Sequence, residues 1–303
     1  QDILEVKAAV HGALRAMDER GKRLPIMAQV TVDQFSKMQI FNTDIHSALV
    51  TVEAIGIDTF GINCSIGPDL MTKTVETLSR YSPLPISVIP NAGLPVSEGG
   101  QTVYKFTPEK MAEHLKRFVS ELGVNIVGGC CGTGPAHIKA ISDAVRGLTP
   151  AKRTPHGGAW LSGPQHAIEL DSSKTLIAIG ERLNVRGSKK VREAVEREGP
   201  IDHAALEEVV QEEMEALGVP IIDVCMESNL VAKTTVLSNV IHEQTADFPG
   251  AMSIDSFAVD ALRAGIEVYP GRPIVNSMSL EEFEPGVSKI EAVIKATGFH
   301  APY

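Results

Sequence analysis

The stretch TPEKMAEHLKRFVSELGVNIVGGCCGTGPAHIKAISDAVRGL (107–148) decides the fold class. It opens with Thr107 as a helix N-cap and Pro108 in the first turn, and the helix runs to Gly123. An apolar strand then enters a glycine-rich turn (124–133), and a second helix follows (135–148). This helix–strand–turn–helix rhythm recurs upstream. PIMAQVTV (25–32), DTFGINCS (58–65) and PISVIPNAG (85–93) read as strands, and DIHSALVTVEAIG (44–56) and DLMTKTVETLSRY (69–81) as helices. Buried strands alternating with helices imply parallel pairing, because parallel strands need crossovers. Four such units before residue 150 are half of an eightfold barrel or most of a doubly wound sheet. The pattern alone does not separate the two.

Residues 149–174 break the rhythm with three prolines, three glycines and the sole tryptophan, Trp160, and read as an interdomain connector. The alternation then restarts. Strands are expected at 175–184, 220–226, 251–256 and 272–279, and helices at 202–218, 257–269 and 288–298, with a further helical region between the strand at 220–226 and a turn at 247–250. FHAPY (299–303) reads as the start of another strand. The predicted organisation is therefore 1–148, a connector over 149–174, and 175–303.

Composition limits the function classes. The 303 residues are 43% hydrophobic and 22% charged, which is ordinary globular composition and suits about two domains. A net charge of −10 argues against non-specific nucleic-acid binding, which needs clustered basic residues. No apolar run is long enough for a membrane span, and the opening residues lack a signal-peptide pattern. Four cysteines in so long a chain are too few for a disulfide scaffold. A reducing cytoplasm is expected, where grouped cysteines serve as metal ligands or catalytic groups. The chain lacks an initiator methionine and both ends read as cut, as in an internal piece of a longer protein.

Polar residues gather at the carboxyl ends of the predicted strands: Cys64, Asn91, Cys130 and Cys131, then Glu181, Asn184, Asp255 and Asn276. Parallel α/β folds bind ligands there. Three thiolates meeting at one rim would suit zinc and leave a fourth position for substrate. Zinc deprotonates a coordinated thiol, so such a site would keep a thiol substrate nucleophilic. Glycines at 128, 129 and 132 would let adjacent cysteines turn toward one ion. Buried structural thiols, or a Cys130–Cys131 disulfide, are the alternatives that spacing leaves open.

GINCSIGPDLM (61–71), IPNAGLP (89–95) and NIVGGCCGTGPAHI (125–138) closely resemble the homocysteine-binding barrel of the cobalamin-dependent methionine synthase family. The pairing of GGCCGT with a distant GINC is specific to homocysteine S-methyltransferases. The resemblance implies Cys64, Cys130 and Cys131 as zinc ligands, and Asn91 near the amino-acid end of homocysteine; a loop-structural role for Asn91 stays open. IGERLNVRGSKK (179–190) resembles the first strand of the same family's pterin barrel, and IIDV (221–224), SIDS (253–256) and IVNS (274–277) its next three strand ends. These imply Glu181, Asn184, Asp255 and Asn276 as folate-binding, with Asp223 joining the pocket or orienting its rim. One departure is Val224-Cys225-Met226-Glu227: the acidic position is kept as Glu227, but Cys225 replaces an amide and reads as a packed apolar residue.

The resemblance implies two (β/α)8 TIM-type barrels in tandem, each only partly present. Residues 1–148 would be the later half of the zinc barrel, and 175–303 the first half of the folate barrel. The implied chemistry carries the methyl of 5-methyltetrahydrofolate through cobalamin to zinc-activated homocysteine. Cobalamin would sit in a cobalamin-binding domain of the parent protein, outside this chain. A homocysteine methyltransferase using betaine or S-methylmethionine would lack the second set of motifs. A truncated binding scaffold is the non-enzymatic alternative. The acidic helix 206–218 reads as a solvated face, and the histidines as surface or capping residues.

Overall fold

The computed structural model describes residues 2–171, 173 and 176–297. The chain forms two compact units, residues 1–157 and 158–303.

The first unit begins with α1 (Ile3–Glu19), capped by Asp2, whose carboxylate accepts from the Leu4 amide at 2.8 Å. Then come β1 (Met27–Val30), α2 (Ile45–Glu53), β2 (Thr59–Asn63), α3 (Thr72–Tyr81) and β3 (Ile86–Ile89). A hairpin of β4 (Pro95–Glu98) and β5 (Gln101–Tyr104) precedes α4 (Pro108–Leu122), β6 (Ile126–Val127) and α5 (Pro135–Val145). Caps form where their residue types predict them. Thr107 accepts from the Lys110 amide at 3.4 Å, and Gly123 ends α4 in the left-handed conformation at φ 67°.

The four parallel strands lie in the order β1-β2-β3-β6. A doubly wound sheet reverses direction at a switch point. This order never reverses: each crossover advances by one strand, as in TIM-type domains. Phe60, Ile62, Ile86 and Val88 point into the core beneath the helices. The alternate positions carry Gln29, Gly61 and Ser87 on the other face, and Gln29 reaches across the strand holding Gly61 to bond Ser87 at 2.6 Å. Gly61 is required there, because a Cβ would lie 2.0 Å from the Ser87 carbonyl oxygen.

The second unit starts with a hairpin of β7 (Trp160–Ser162) and β8 (Ala167–Glu169). It continues through β9 (Ile179–Gly180), α6 (Lys189–Val195), α7 (His203–Leu217), β10 (Ile221–Cys225), α8 (Lys233–Gln244), β11 (Ala251–Asp255), α9 (Val259–Val268) and β12 (Ile274–Asn276). A small hairpin of β13 (Glu282–Glu284) and β14 (Val287–Ser288) leads into α10 (Lys289–Thr297). The sheet order β9-β10-β11-β12 is again parallel and sequential. Ile222, Val224, Met252 and Ile254 pack against the helices, so Asp223, Cys225, Ser253 and Asp255 face the other way.

Several expectations change. The strand expected over 175–184 is only Ile179–Gly180, and Thr175 lies outside the described residues, as do Gln1, Gly298 and 299–303. The ladder is interrupted where the Arg182 amide donates to Glu213 at 3.0 Å, and it resumes at Asn184, where the Cys225 amide donates to the Leu183 carbonyl and the Val185 amide to the Cys225 carbonyl, each at 3.1 Å. Helix α6 and the three hairpins have no counterpart in the sequence reading. The stretch 149–174 also carries structure of its own. Arg153 donates to the Ser82 and Leu84 carbonyls of the first unit, at 2.5 and 2.7 Å. Residues 160–169 form β7 and β8, and Leu161 and Ile168 pack on Ile221, Ala251 and Ile274 at the amino ends of the second sheet.

Tyr269 ties that hairpin to the sheet. Fully buried, its hydroxyl donates to the Ser162 carbonyl at 3.0 Å and accepts from the Met252 amide at 3.0 Å. Tyr269→Phe takes the partner from the Met252 amide without changing the ring, while the Ser162 carbonyl keeps the Arg272 amide at 3.1 Å. It is expected to cost about 1–3 kcal/mol of stability in urea denaturation of the second unit. An unchanged midpoint would show that the hairpin is not anchored this way.

Candidate functional site

The first cluster lies at the carboxyl edge of the first sheet. Cys64 follows β2, and its amide extends the ladder to the Ile89 carbonyl at 3.0 Å. Cys64 and Ser65 both have positive φ, 61° and 63°. Left-handed conformations cost non-glycine residues about 1–3 kcal/mol each and persist only where surroundings hold them. Here the Ile66 amide bonds the Cys64 carbonyl at 2.8 Å, and the Asn91 amide bonds the Ile66 carbonyl at 3.1 Å. Cys130 and Cys131 follow β6. The Cys130 amide donates to the Pro90 carbonyl at 2.8 Å, and the Cys131 carbonyl accepts from Ala92 at 2.9 Å.

The sulfurs of Cys64 and Cys131 stand 3.6 Å apart, and those of Cys130 and Cys131 4.0 Å. All three lie within 4.8 Å of one another. Four ligands about 2.3 Å from a tetrahedral ion sit about 3.8 Å apart, a spacing that these two sulfur pairs bracket, so the set could hold a metal ion. The cysteines are free thiols, and the vicinal disulfide is not formed. The glycines differ in function. Gly132 has φ 76° and a Cβ there would lie 2.2 Å from the Tyr104 ring; Gly129 abuts Thr133, whereas Gly128 has room for a side chain.

Asn91 is buried, and its Oδ1 accepts from the Cys131 amide at 3.1 Å, so its loop-structural role is present in the fold. Burial alone would push the Cys64 thiol up. The Ser65 amide and hydrogen bonds with Cys131, Cys130 and Asn91 outweigh it and hold its pKa below the ordinary value. Cys130, partly buried beside Cys64, is pushed up to about 11 by that burial and by Cys64. His137 is a capping residue: its Nδ1 accepts from the Gly134 amide at 3.2 Å, and its Nε2 bonds the Phe106 carbonyl at 2.9 Å.

The second cluster lies at the carboxyl edge of the second sheet. Strand register aligns Asn184, Cys225, Asp255 and Asn276 in one row. Asp223 sits two residues back on β10 and accepts from Asn276 Nδ2 at 3.2 Å. Asp223, Asp255 and Asn276 are therefore brought together, with Asn184 at the end of the row. Glu181 stands apart: it is exposed and bonds none of the other four among the described residues.

Cys225, read from sequence as a packed apolar residue, is buried but belongs to the polar row. It hydrogen-bonds Asp255, and burial with that contact pushes its thiol up to about 12. Asp255 is also raised, first by burial and then by the charges of Asp223 and Glu227, although the Cys225 bond and Lys289 oppose the rise. Lys289, at the start of α10, is buried and donates to the Ser256 carbonyl at 3.3 Å. Nothing in the sequence reading marked it, because it enters from a helix five elements after β11.

Two buried glutamates are shifted in opposite directions. Glu213 does not lie on the solvated face of α7. It continues the inward stripe Leu206, Val209, Val210, a helical spacing that could have revealed it. Burial raises its pKa. Glu227 is also buried, but its Oε1 takes the Ser256 hydroxyl and the Phe257 amide, and its Oε2 pairs with Lys233 at 2.5 Å. Burial would raise it; these donors win and lower it. A carboxyl lowered in the folded state adds stability above its unfolded pKa, near 4.5, and that stability is lost as pH falls through the folded value. Acid unfolding of Glu227→Gln should therefore lack part of the wild-type loss of stability below about pH 4.5. Superimposable wild-type and variant profiles below that pH would count against the assignment.

Comparison with known proteins agrees with this division. Residues 1–145 match the homocysteine S-methyltransferase family, and residues 180–299 the pterin binding enzyme family. Methionine synthase of Mycobacterium tuberculosis (strain ATCC 25618 / H37Rv) is 34% identical over 303 residues, and that of Mycobacterium leprae (strain TN) 33% over 308. Each alignment covers 99% of this chain and 25% of the relative, so the chain spans about a quarter of their length. The chain is thus similar to homocysteine S-methyltransferases over residues 1–145, to pterin binding enzymes over residues 180–299, and to a quarter of methionine synthase over 99% of the chain's own length.

Proposed function

We propose that this chain is the substrate-activating part of an enzyme that moves the methyl group of 5-methyltetrahydrofolate, by way of cobalamin, to homocysteine, giving methionine. The observation that carries the reading is the spacing of three thiol sulfurs, 3.6 and 4.0 Å, at the carboxyl edge of a homocysteine S-methyltransferase segment. Zinc suits this all-sulfur set. Bound there, it would supply Lewis acidity that keeps the homocysteine sulfur as thiolate at neutral pH. Cys64, Cys130 and Cys131 take three positions and leave the fourth to the substrate. Asn91 fixes the Cys131 peptide and is the residue for the amino-acid end of homocysteine.

On the second sheet, Asp223, Asp255, Asn276 and Asn184 offer carboxylate and amide groups to the donor–acceptor edge of a pterin. Asp255 is biased by burial toward holding its proton, which suits a donor to a ring nitrogen that must gain positive charge before its methyl leaves. Glu181, in the loop beyond β9, would reach the pterin from the rim. A donor such as betaine would leave this row without a task. In this reading residues 1–148 are the later half of one barrel and 175–303 the first half of another, with 149–174 between them. The remaining strands and the cobalamin-binding domain belong to the rest of the parent protein, in the cytoplasm.

Two measurements test the reading. The full-length protein should carry one zinc per chain by metal analysis, and Cys130→Ala should carry none; full occupancy in that variant sinks the metal site. Asn276→Ala should weaken methyltetrahydrofolate binding at least about tenfold, the scale of a lost charge-assisted hydrogen bond. Unchanged affinity would remove the row from the folate site.

A further inference from the structure

The hairpin of β4 and β5 adds little to the core of the first unit, since β4 is exposed at all four positions. Its base is nevertheless tied to the loop that carries the cysteines. The Ala92 amide donates to the Cys131 carbonyl at 2.9 Å, and the Ala92 carbonyl accepts from the Phe106 amide, just past β5, at 3.1 Å. Tyr104 ends β5 and stands opposite Pro95 in the hairpin. Its ring fills the space that a side chain at Gly132 would need. That placement brings the Tyr104 hydroxyl into hydrogen-bond contact with Cys131.

The three sulfurs are not equally protected. Cys64 and Cys130 are partly buried, whereas Cys131 is exposed. A site that holds three thiolates beside a substrate thiolate faces a problem of selectivity. An electrophile meant for the substrate sulfur can also be attacked by a resident one, and the exposed sulfur meets it first. A phenol that donates to a thiolate stabilises its charge, and the electron pair so engaged is less available for attack. Such partners beyond the ligands themselves tune what the ligands do. Of the three cysteines, the one that Tyr104 reaches is the one most open to solvent.

We infer that Tyr104 is a positioning residue that keeps Cys131 a ligand and not a nucleophile: its hydroxyl donates to the Cys131 sulfur, so that alkylation falls on a bound substrate thiol and spares the exposed resident one. The hairpin of β4 and β5 is the arm that delivers this hydroxyl. The inference rests on the metal-site reading of the three cysteines.

The test treats the zinc-loaded full-length protein with iodoacetamide and follows each cysteine by peptide mass analysis. Each reaction forms a sulfur–carbon bond and releases iodide. In wild type, Cys131 should react no faster than Cys64 and Cys130 in spite of its exposure. Tyr104→Phe keeps the ring against Gly132 and removes only the hydroxyl. It should still carry one zinc per chain and raise the Cys131 rate about tenfold, the scale of one hydrogen bond to a charged group, with Cys64 and Cys130 unchanged. In protein loaded with cobalt(II), the same variant should move the sulfur-to-metal charge-transfer band to longer wavelength, because the freed thiolate is the stronger electron donor. An unchanged Cys131 rate, an equal rise at all three cysteines, or an unmoved band overturns the role of Tyr104 and leaves the metal site standing. Wild type that binds no zinc overturns the metal reading and this inference together.

Discussion

Parallel pairing brings the carboxyl ends of neighbouring strands to one edge of a sheet, and helical crossovers cover only one face. The rest of the structure depends on that constraint. In both units the covered face holds the apolar alternates: Phe60, Ile62, Ile86 and Val88 in one, Ile222, Val224, Met252 and Ile254 in the other. The opposite alternates are free to be polar, and at the carboxyl edge they become Cys64 with Cys130 and Cys131, or Asp223 with Asp255 and Asn276. A slip of one residue in register would turn either set into its helix-covered core.

Holding such groups carries a conformational and electrostatic cost that neighbouring backbone offsets. Cys64 and Ser65 sit at positive φ, and the ladder bonds to Ile89 and from Ile66 keep them there. Asn91 spends its side-chain oxygen on the Cys131 amide, so the two cysteine-bearing loops are fixed to each other through one amide. In the second unit Glu227 gathers Lys233, Ser256 and the Phe257 amide, joining the ends of β10 and β11. Loss of either connector would leave the ligand-facing residues in place by sequence but not by geometry.

What could be read from the sequence follows the range of the interactions. The α4 caps at Thr107 and Gly123 are local and were legible to the residue. So was the meeting of Cys64 with Cys130 and Cys131, once sequential parallel strands were assumed. The hairpin β4–β5 escaped because its first strand is exposed at all four positions and has no alternation to reveal it. Hairpin β7–β8 was masked by Gly163 and Pro164, whose turn is held by a Gly163 amide bond to the His166 carbonyl at 2.9 Å. Cys225 looked apolar because cysteine commonly is; only the cross-strand register with Asn184 and Asp255 puts it in the polar row. Lys289 is likewise a product of tertiary packing.

Under the proposed function the two edges would use one scaffold for opposite protonation tasks: homocysteine must lose a proton to become a nucleophile, and a methylated pterin nitrogen must gain positive charge to become a leaving group. The first edge is surrounded by donors, the Ser65 amide and the Asn91 amide group, which favour the anionic form of Cys64 over the thiol. At the second edge burial, with the charges of Asp223 and Glu227, outweighs the Cys225 bond and Lys289 and drives Asp255 toward its protonated form. The difference does not come from the strands, whose geometry is shared. It comes from which side chains follow them: soft sulfur among backbone amides in one case, hard oxygen among like charges in the other. A substitution that moves a donor across this division, such as an amide in place of Cys225 beside Asp255, changes the proton balance of the second edge while leaving the fold that carries it intact.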